Sequence, residues 1–308
     1  MEIGFHIPDF GAHFRLNNIL ISTVKKYPEY FIDGLKIKSV FGAFPGSVWN
    51  GGRYQGGTTD MQTVRGVIKM FGDNDIPLRF TFTNPLIKEE HLGDSFCNQV
   101  LRAADGGFNE VIVMSPILEE YIRKNYPKYP ITSSTCKQIE DMEGVKAELA
   151  KDYKYVVLDY NWNNKFDELE KIPAADRDRC EILVNACCTP HCPRRGEHYR
   201  QIGSEHIKAW EHQKNPIGKP YRYTEFECPH MLKNIYNIKD LETYVSPSDI
   251  IQKYAAMGFS NFKIEGRTVA DVSLLETYVH YMAKPEYRDE ARLTMMLRLT
   301  KSIRYFMR

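Results

Sequence analysis

Eight short apolar runs, each followed by a stretch with helical character, set the order of this chain. Parallel strands need a crossover between neighbours, and a helix supplies it, so strict alternation points to a parallel sheet with helices outside. The runs cover residues 2–8, 35–44, 77–83, 110–114, 130–135, 155–159, 181–186 and 261–265. Leu16, Ile19, Leu20 and Val24 give residues 15–26 a helical stripe. Further helices are expected over 88–104, 116–124, 139–151 and from 164. One more runs to about residue 73, capped by Thr58 or Thr59 with Asp60 in its first turn; Ser115 caps the helix from 116. Eight such units in 308 residues fit a (β/α)8 barrel. An open doubly wound sheet is the alternative, but no G-x-G-x-x-G follows the first run.

The alternation breaks at residues 188–248, which have no clean β–α unit. A connection that long is usually functional. It resumes with a helix over 247–257, the last strand and an amphipathic tail over 269–307. The expected organisation is one barrel domain, 1–308, with 188–248 inserted between strands seven and eight.

Composition narrows the function classes. Lys+Arg number 41 against 40 Asp+Glu, a net charge of +1, so no global basic field favours nucleic acid. No stretch approaches eighteen uninterrupted apolar residues, so no membrane span is expected. The first residues, MEIGFHIPDFG, lack a basic segment followed by an apolar one, so no signal peptide is expected and the location expected is cytoplasmic. In that compartment seven unevenly spaced cysteines are reduced thiols by default, suited to metal or redox chemistry.

Three of those cysteines fall within six residues, in EILVNACCTPHCPRR over 181–195. Cys187 and Cys188 end strand seven, Cys192 lies in the following loop, and Cys228 lies in the insertion before a proline. Clusters need thiolates converging on one point, usually four. These four are the first choice of metal ligands; Cys136, ending strand five, is the substitute for one of the adjacent pair. Zinc competes, with His191, His198 or His230 as nitrogen ligands. The bland alternative is a loop of reduced thiols. Cys180 starts strand seven, at the opposite face, and Cys97 reads as a small buried thiol in a helix.

Other candidates sit at strand ends. His6 and Asp9 stand at the end of strand one, facing the same mouth, as an acid–base pair or as locally bonded residues. Arg53 lies in a Gly-rich loop with Trp49 and Tyr54, either holding an anionic substrate or exposed. Asn84 ends strand three; Asp159, Asn161 and Asn163 follow strand six; all can bind ligand or shape turns. Glu265 and Arg267 form an ion pair in the mouth or close strand eight on strand one. Arg194 and Arg195 either grip a carboxylate, phosphate or cluster charge, or form a solvated basic face. No G-x-S-x-G, H-E-x-x-H or P-loop is present.

The run KIEGR at 263–267, after the lead GFSNF, resembles the signature that ends the barrel of the peptidase U32 (collagenase-like) family. NEVIVMSP at 109–116 resembles its fourth strand, and EILVNACC at 181–188 its EVFVHG…C strand; the similarity spans roughly 1–281. The resemblance implies a barrel, and one of two activities. Some members are named peptidases; others perform oxygen-independent hydroxylation in ubiquinone synthesis or on ribosomal RNA with a four-iron, four-sulfur cluster on four cysteines. Asn185 stands near the family's usual His, and TPHCPRRGEHY replaces its serine-glycine run. The expected function is redox chemistry at a cysteine-ligated 4Fe-4S cluster, acting on a small or nucleic-acid-linked substrate. His6, Asp9, Glu265 and Arg267 are its candidate catalytic residues, and Arg53, Asn84, Asp159, Arg194 and Arg195 its substrate-binding ones. The alternatives are a peptidase, and a non-catalytic subunit paired with a relative and stabilised by zinc or a cluster.

Overall fold

The computed structural model describes residues 2–214, 219–228 and 234–306. Its eight strands close in chain order into one barrel, with every resolved strand pairing parallel. In chain order the elements are β1 (Ile3–Pro8), α1 (Phe14–Lys26), β2 (Leu35–Gly42), α2 (Met61–Gly72), β3 (Leu78–Phe82), α3 (Glu89–Leu92) and α4 (Ser95–Ala103). β4 (Glu110–Val113), α5 (Pro116–Asn125), β5 (Ile131–Ser133), α6 (Met142–Leu149), β6 (Tyr155–Val157), α7 (Phe166–Leu169) and β7 (Cys180–Leu183) follow. The insertion carries α8 (Arg195–Lys214), α9 (Ile235–Ile238) and α10 (Pro247–Asp249); β8 (Asn261–Lys263), α11 (Asp271–Met282) and α12 (Arg288–Phe306) complete the chain.

All eight expected strands are present, several of them shorter than their apolar runs. The helices depart more. Asp60, rather than Thr58 or Thr59, caps α2 by accepting the Thr63 N–H at 2.8 Å. The expected helix over 88–104 breaks at Gly93, and Asp94 caps the second piece through the Cys97 N–H at 2.7 Å. A carboxylate one residue before a turn outcompetes a hydroxyl as the cap because it brings charge to the positive helix end. Ser115 holds the cap position of α5 without a side-chain cap bond. The expected 247–257 helix starts as α10 and relaxes to a π-turn over Ile250–Tyr254, and the tail is split by a Pro285–Tyr287 turn.

Contacts divide the chain into two compact units, Met1–Val40, Tyr160–Pro190 and Met231–Arg308 in one, Phe41–Asp159 and His191–His230 in the other. In the first unit, register pairs Phe5 with Phe262 and Ile182 with Phe262. That row faces the helices: Phe5 lies 6.3 Å from Tyr281 of α11, and Phe262 lies 6.2 Å from Tyr254 of the π-turn. Burying each such ring contributes roughly 2–3 kcal/mol. The opposite row pairs His6 with Lys263 and Glu181 with Asn261, so it carries polar residues into the barrel.

The second unit repeats this division. Phe80 stacks on Phe82 at 5.8 Å, and the Trp49 ring meets Phe82 edge-on at 5.2 Å. On the other row Arg79 reaches Glu110 at 3.2 Å and donates to Thr132 at 2.8 Å; both ions are almost fully buried. Helix α8 docks through a close approach: a Cβ on Gly203 would stand 2.4 Å from Asn84 Oδ1.

Candidate functional site

Strand β7 ends as a backbone ladder at Leu183, and one further backbone bond, Val184 N–H to Lys263 O at 3.0 Å, carries it on. Side chains then take over. Asn185 donates to Glu265 O at 2.9 Å and accepts from Glu265 N–H at 2.6 Å, mimicking a backbone pair. The chain is thereby released into loop at Cys187, where the pleat no longer sends neighbouring side chains to opposite faces. The Glu265 carboxylate receives the Cys187 N–H at 3.0 Å and the Cys187 thiol at 3.1 Å. Cys187 and Glu265 open on a cleft of only about 20 Å³, shared with Ile235 and Ile238 of α9. Cys188 packs against Tyr160, Leu183 and Ala186.

In the second unit Arg195 starts α8. Its guanidinium grips Asp159 through both oxygens, one bond at 3.2 Å from Nη1, and donates to Gln138 at 3.1 Å and Glu140 at 3.4 Å. Arg195 and Asp159 are 3% and 0% exposed, so this bidentate pair holds the helix start rather than waiting for an anion. Its neighbour Arg194 is exposed. It pairs with Glu197 at 3.0 Å, donates to Glu227 O at 3.2 Å and lies 4.5 Å over the Phe226 ring. His198 stacks on Phe226 at 4.4 Å, and burial with the charges of Arg53 and Arg194 pulls its pKa down to about 4. The Glu197 bond raises the Arg194 pKa, and Cys192 and Cys228 stand within electrostatic reach to raise it further.

Cysteine exposure separates two groups. Cys97, Cys136 and Cys180 are buried; Cys187, Cys188, Cys192 and Cys228 are partly exposed. Burial lifts the Cys97 thiol well above its ordinary range and Cys180 to about 12, which makes both inert. Cys187 and Cys188 belong to the first unit and Cys192 and Cys228 to the second. Among the described residues no three His, Cys, Asp or Glu side chains are gathered as a ready metal site. His191 faces Glu140 at 3.4 Å, and His230 lies outside the described residues.

The remaining candidates are mostly committed to the fold. His6 is not at the end of its strand: it sits inside β1, 1% exposed, 2.7 Å from Ser39 and 3.5 Å from Glu181, which also pairs with Lys263 at 2.8 Å. Asp9 adopts φ +53 and accepts the N–H groups of Gly11 and Ala12 at 2.9 and 2.8 Å, an Asx turn that launches α1. Burial raises the Asp9 pKa against the pull of those bonds and of Arg267. Asn84 spends its amide on Val48 O and Gly203 O and its oxygen on the Leu86 N–H. Asn163 likewise bonds Leu183 O and Thr243 O. Arg53 donates to Gly52 O at 2.6 Å, Trp49 is buried, and Tyr54 stacks on Tyr223 at 3.9 Å. The Cys187–Glu265 contact joins residues 78 positions apart, so the sequence neighbourhood of neither residue signals it.

One solved structure, described as that of the U32 peptidase Mk0906, superimposes over 86% of this chain and 92% of its own, with a TM-score of 0.51 and 13% identity. The chain has the U32 peptidase fold. No family model and no curated protein sequence matches it. At that identity the U32 likeness fixes the path of the barrel and leaves its chemistry to the residues above.

Proposed function

We propose that this U32-fold chain is a redox enzyme that holds an iron–sulfur cluster on Cys187, Cys188, Cys192 and Cys228. The observation that carries the reading is the exposure pattern: those four thiols are partly exposed, and the other three are buried. The donor chemistry fits, since thiolates are the ligands such clusters take. The bound cluster would supply electron transfer, in a reaction such as oxygen-independent hydroxylation of a small or nucleic-acid-linked substrate. Around it the chain's own groups have defined tasks. Glu265 accepts a hydrogen bond from the Cys187 thiol, whose proton ligation would displace. Arg194 places a positive charge within electrostatic reach of Cys192 and Cys228, where it would offset the negative charge of a thiolate-ligated cluster. Zinc on the same thiols is the competing occupant.

A thiol-peptidase reading has one observation in its favour, the carboxylate beside Cys187. The cleft of about 20 Å³ at that contact weighs against it, because a scissile peptide does not fit there. Anaerobic purification with a visible spectrum and iron, sulfide and zinc analysis tests the proposal. A broad band near ~400 nm that is lost in Cys192→Ala and Cys228→Ala supports it. A colourless protein with one zinc, or no metal after anaerobic reconstitution, overturns it. Peptide cleavage abolished by Cys187→Ala alone would support the peptidase, and a stable complex with a related subunit without turnover alone would support a non-catalytic role.

A further inference from the structure

The segment that returns from α8 lies against the start of that helix. Arg194 Nη1 donates to Glu227 O at 3.2 Å, and the Arg194 guanidinium stands 4.5 Å from the centre of the Phe226 ring. His198, one turn on, stacks on the same ring at 4.4 Å. Farther back, buried Glu205 accepts the Tyr221 hydroxyl and the Thr224 N–H, each at 2.7 Å, which pins the earlier part of the segment. Cys228 follows directly on the Glu227 carbonyl that Arg194 holds. Cys192 belongs to the turn that opens the helix, since its carbonyl accepts the Arg195 N–H at 3.2 Å. One arginine therefore touches or adjoins the backbone on both sides. Both sulfurs stand within its electrostatic reach.

All seven cysteines are free thiols, and the other five have different surroundings. Cys97, Cys136 and Cys180 are buried. Cys187 donates to Glu265 at 3.1 Å. Cys188 packs against Tyr160, Leu183 and Ala186. Sequence spacing alone would pair Cys188 with Cys192. The contacts of Arg194 favour Cys228 as the partner of Cys192 instead.

We propose that Cys192 and Cys228 form a reversible redox pair, which closes to a disulfide in the metal-free chain and is reopened by a small thiol. The oxidant is a small-molecule disulfide of the glutathione class. One cysteine sulfur attacks it, forming a mixed disulfide and expelling one thiol. The second cysteine sulfur then attacks the first and expels the other thiol. One S–S bond breaks and one forms. The protein gives up two electrons, and its two thiol protons leave on the two released thiols. Closure ties the entry of α8 to the return segment and withdraws both sulfurs from any metal. A disulfide needs Cα atoms about 4–7 Å apart, and the hold of Arg194 on the return segment shortens that search. The inference does not rest on the cluster reading, because the reaction needs no metal.

The full-length chain, stripped of metal and equilibrated with reduced and oxidised glutathione at a series of ratios, tests it by alkylation and peptide mass mapping. One Cys192–Cys228 linked peptide should appear, and excess reduced glutathione should remove it. Cys192→Ser and Cys228→Ser should each leave the remaining thiols free of any intramolecular link. Arg194→Ala deletes the hold without touching a thiol. It should lower the closure equilibrium constant about tenfold, the effect of losing a hydrogen bond from a charged donor, or about 30 mV for a two-electron couple. Absence of the linked peptide at every ratio would overturn the proposal. So would a Cys188–Cys192 or Cys187–Cys188 link in its place, or closure unchanged by Arg194→Ala. A chain that closes but never takes up iron would sink the cluster reading alone, and one that takes up iron but never closes would sink this inference alone.

Discussion

The polar row inside the first unit and the arginine cluster at the start of α8 use the same residue types for different ends. His6, Glu181 and Lys263 are buried and mutually paired. Arg194 and Arg195 are adjacent, yet one is exposed over Phe226 and the other is 3% exposed on Asp159. Charge that is fully desolvated is bound up in holding strands and helix ends, because removing one partner strands the other. Charge left at the surface costs little and stays available to a ligand.

The largest expected effect follows from the buried row. Glu181→Ala leaves the Lys263 ammonium without its carboxylate, and should cost about 3–5 kcal/mol in urea unfolding. A loss below about 1 kcal/mol would show that water or His6 compensates, and would erase the contrast between the two regions.

The adjacent arginines give the next test. Arg195→Ala uncovers the Asp159 carboxylate, and should cost about 3 kcal/mol. Arg194→Ala should leave the unfolding midpoint unchanged. Equal effects of the two substitutions would mean that burial does not separate their roles.

The fold was legible because β–α alternation survives in composition: every strand run was an apolar cluster between helical patterns. The polar inner row was less legible. His6, Arg79, Glu110, Thr132, Glu181 and Lys263 stand at alternate strand positions, and a period-two reading of polarity would have grouped them. Of the four partly exposed cysteines, Cys187, Cys188 and Cys192 stand out by their clustering after strand seven, whereas Cys228 lies alone in the insertion. Polarity at a strand end, in contrast, does not separate a ligand-binding side chain from one that clamps backbone, which is why Asn84 and Asp159 read as substrate residues.

The smaller clamp is measurable in the same way. Asn84→Ala removes one donated bond to α8, at Gly203 O, together with one donated to Val48 O and one accepted from the Leu86 N–H, and should cost about 1–3 kcal/mol. Adding Gly203→Ala to that variant should cost less than Gly203→Ala in the native chain, because the added methyl's nearest neighbour, Asn84 Oδ1, is gone.

Two histidines bring the comparison to pH. Burial alone would lower the His13 pKa, but its bonds to Asp271 at 2.6 Å and Gly266 O at 2.8 Å raise it overall. Its stabilisation is complete below the unfolded value near ~6.5 and is lost as pH rises through the folded one. His198 has the opposite sign. Burial first, then Arg53 and Arg194, lower it to about 4, so the unfolded chain takes up the proton before the folded one does. Its contribution is present above ~6.5 and is lost as pH falls toward 4, by on the order of 1 kcal/mol after screening of the half-exposed ring. The stability of the native chain minus that of His13→Asn should therefore fall on the alkaline side, and minus that of His198→Asn on the acid side. Parallel slopes would mean that the carboxylate beside His13, or the two arginines near His198, do not govern their titration.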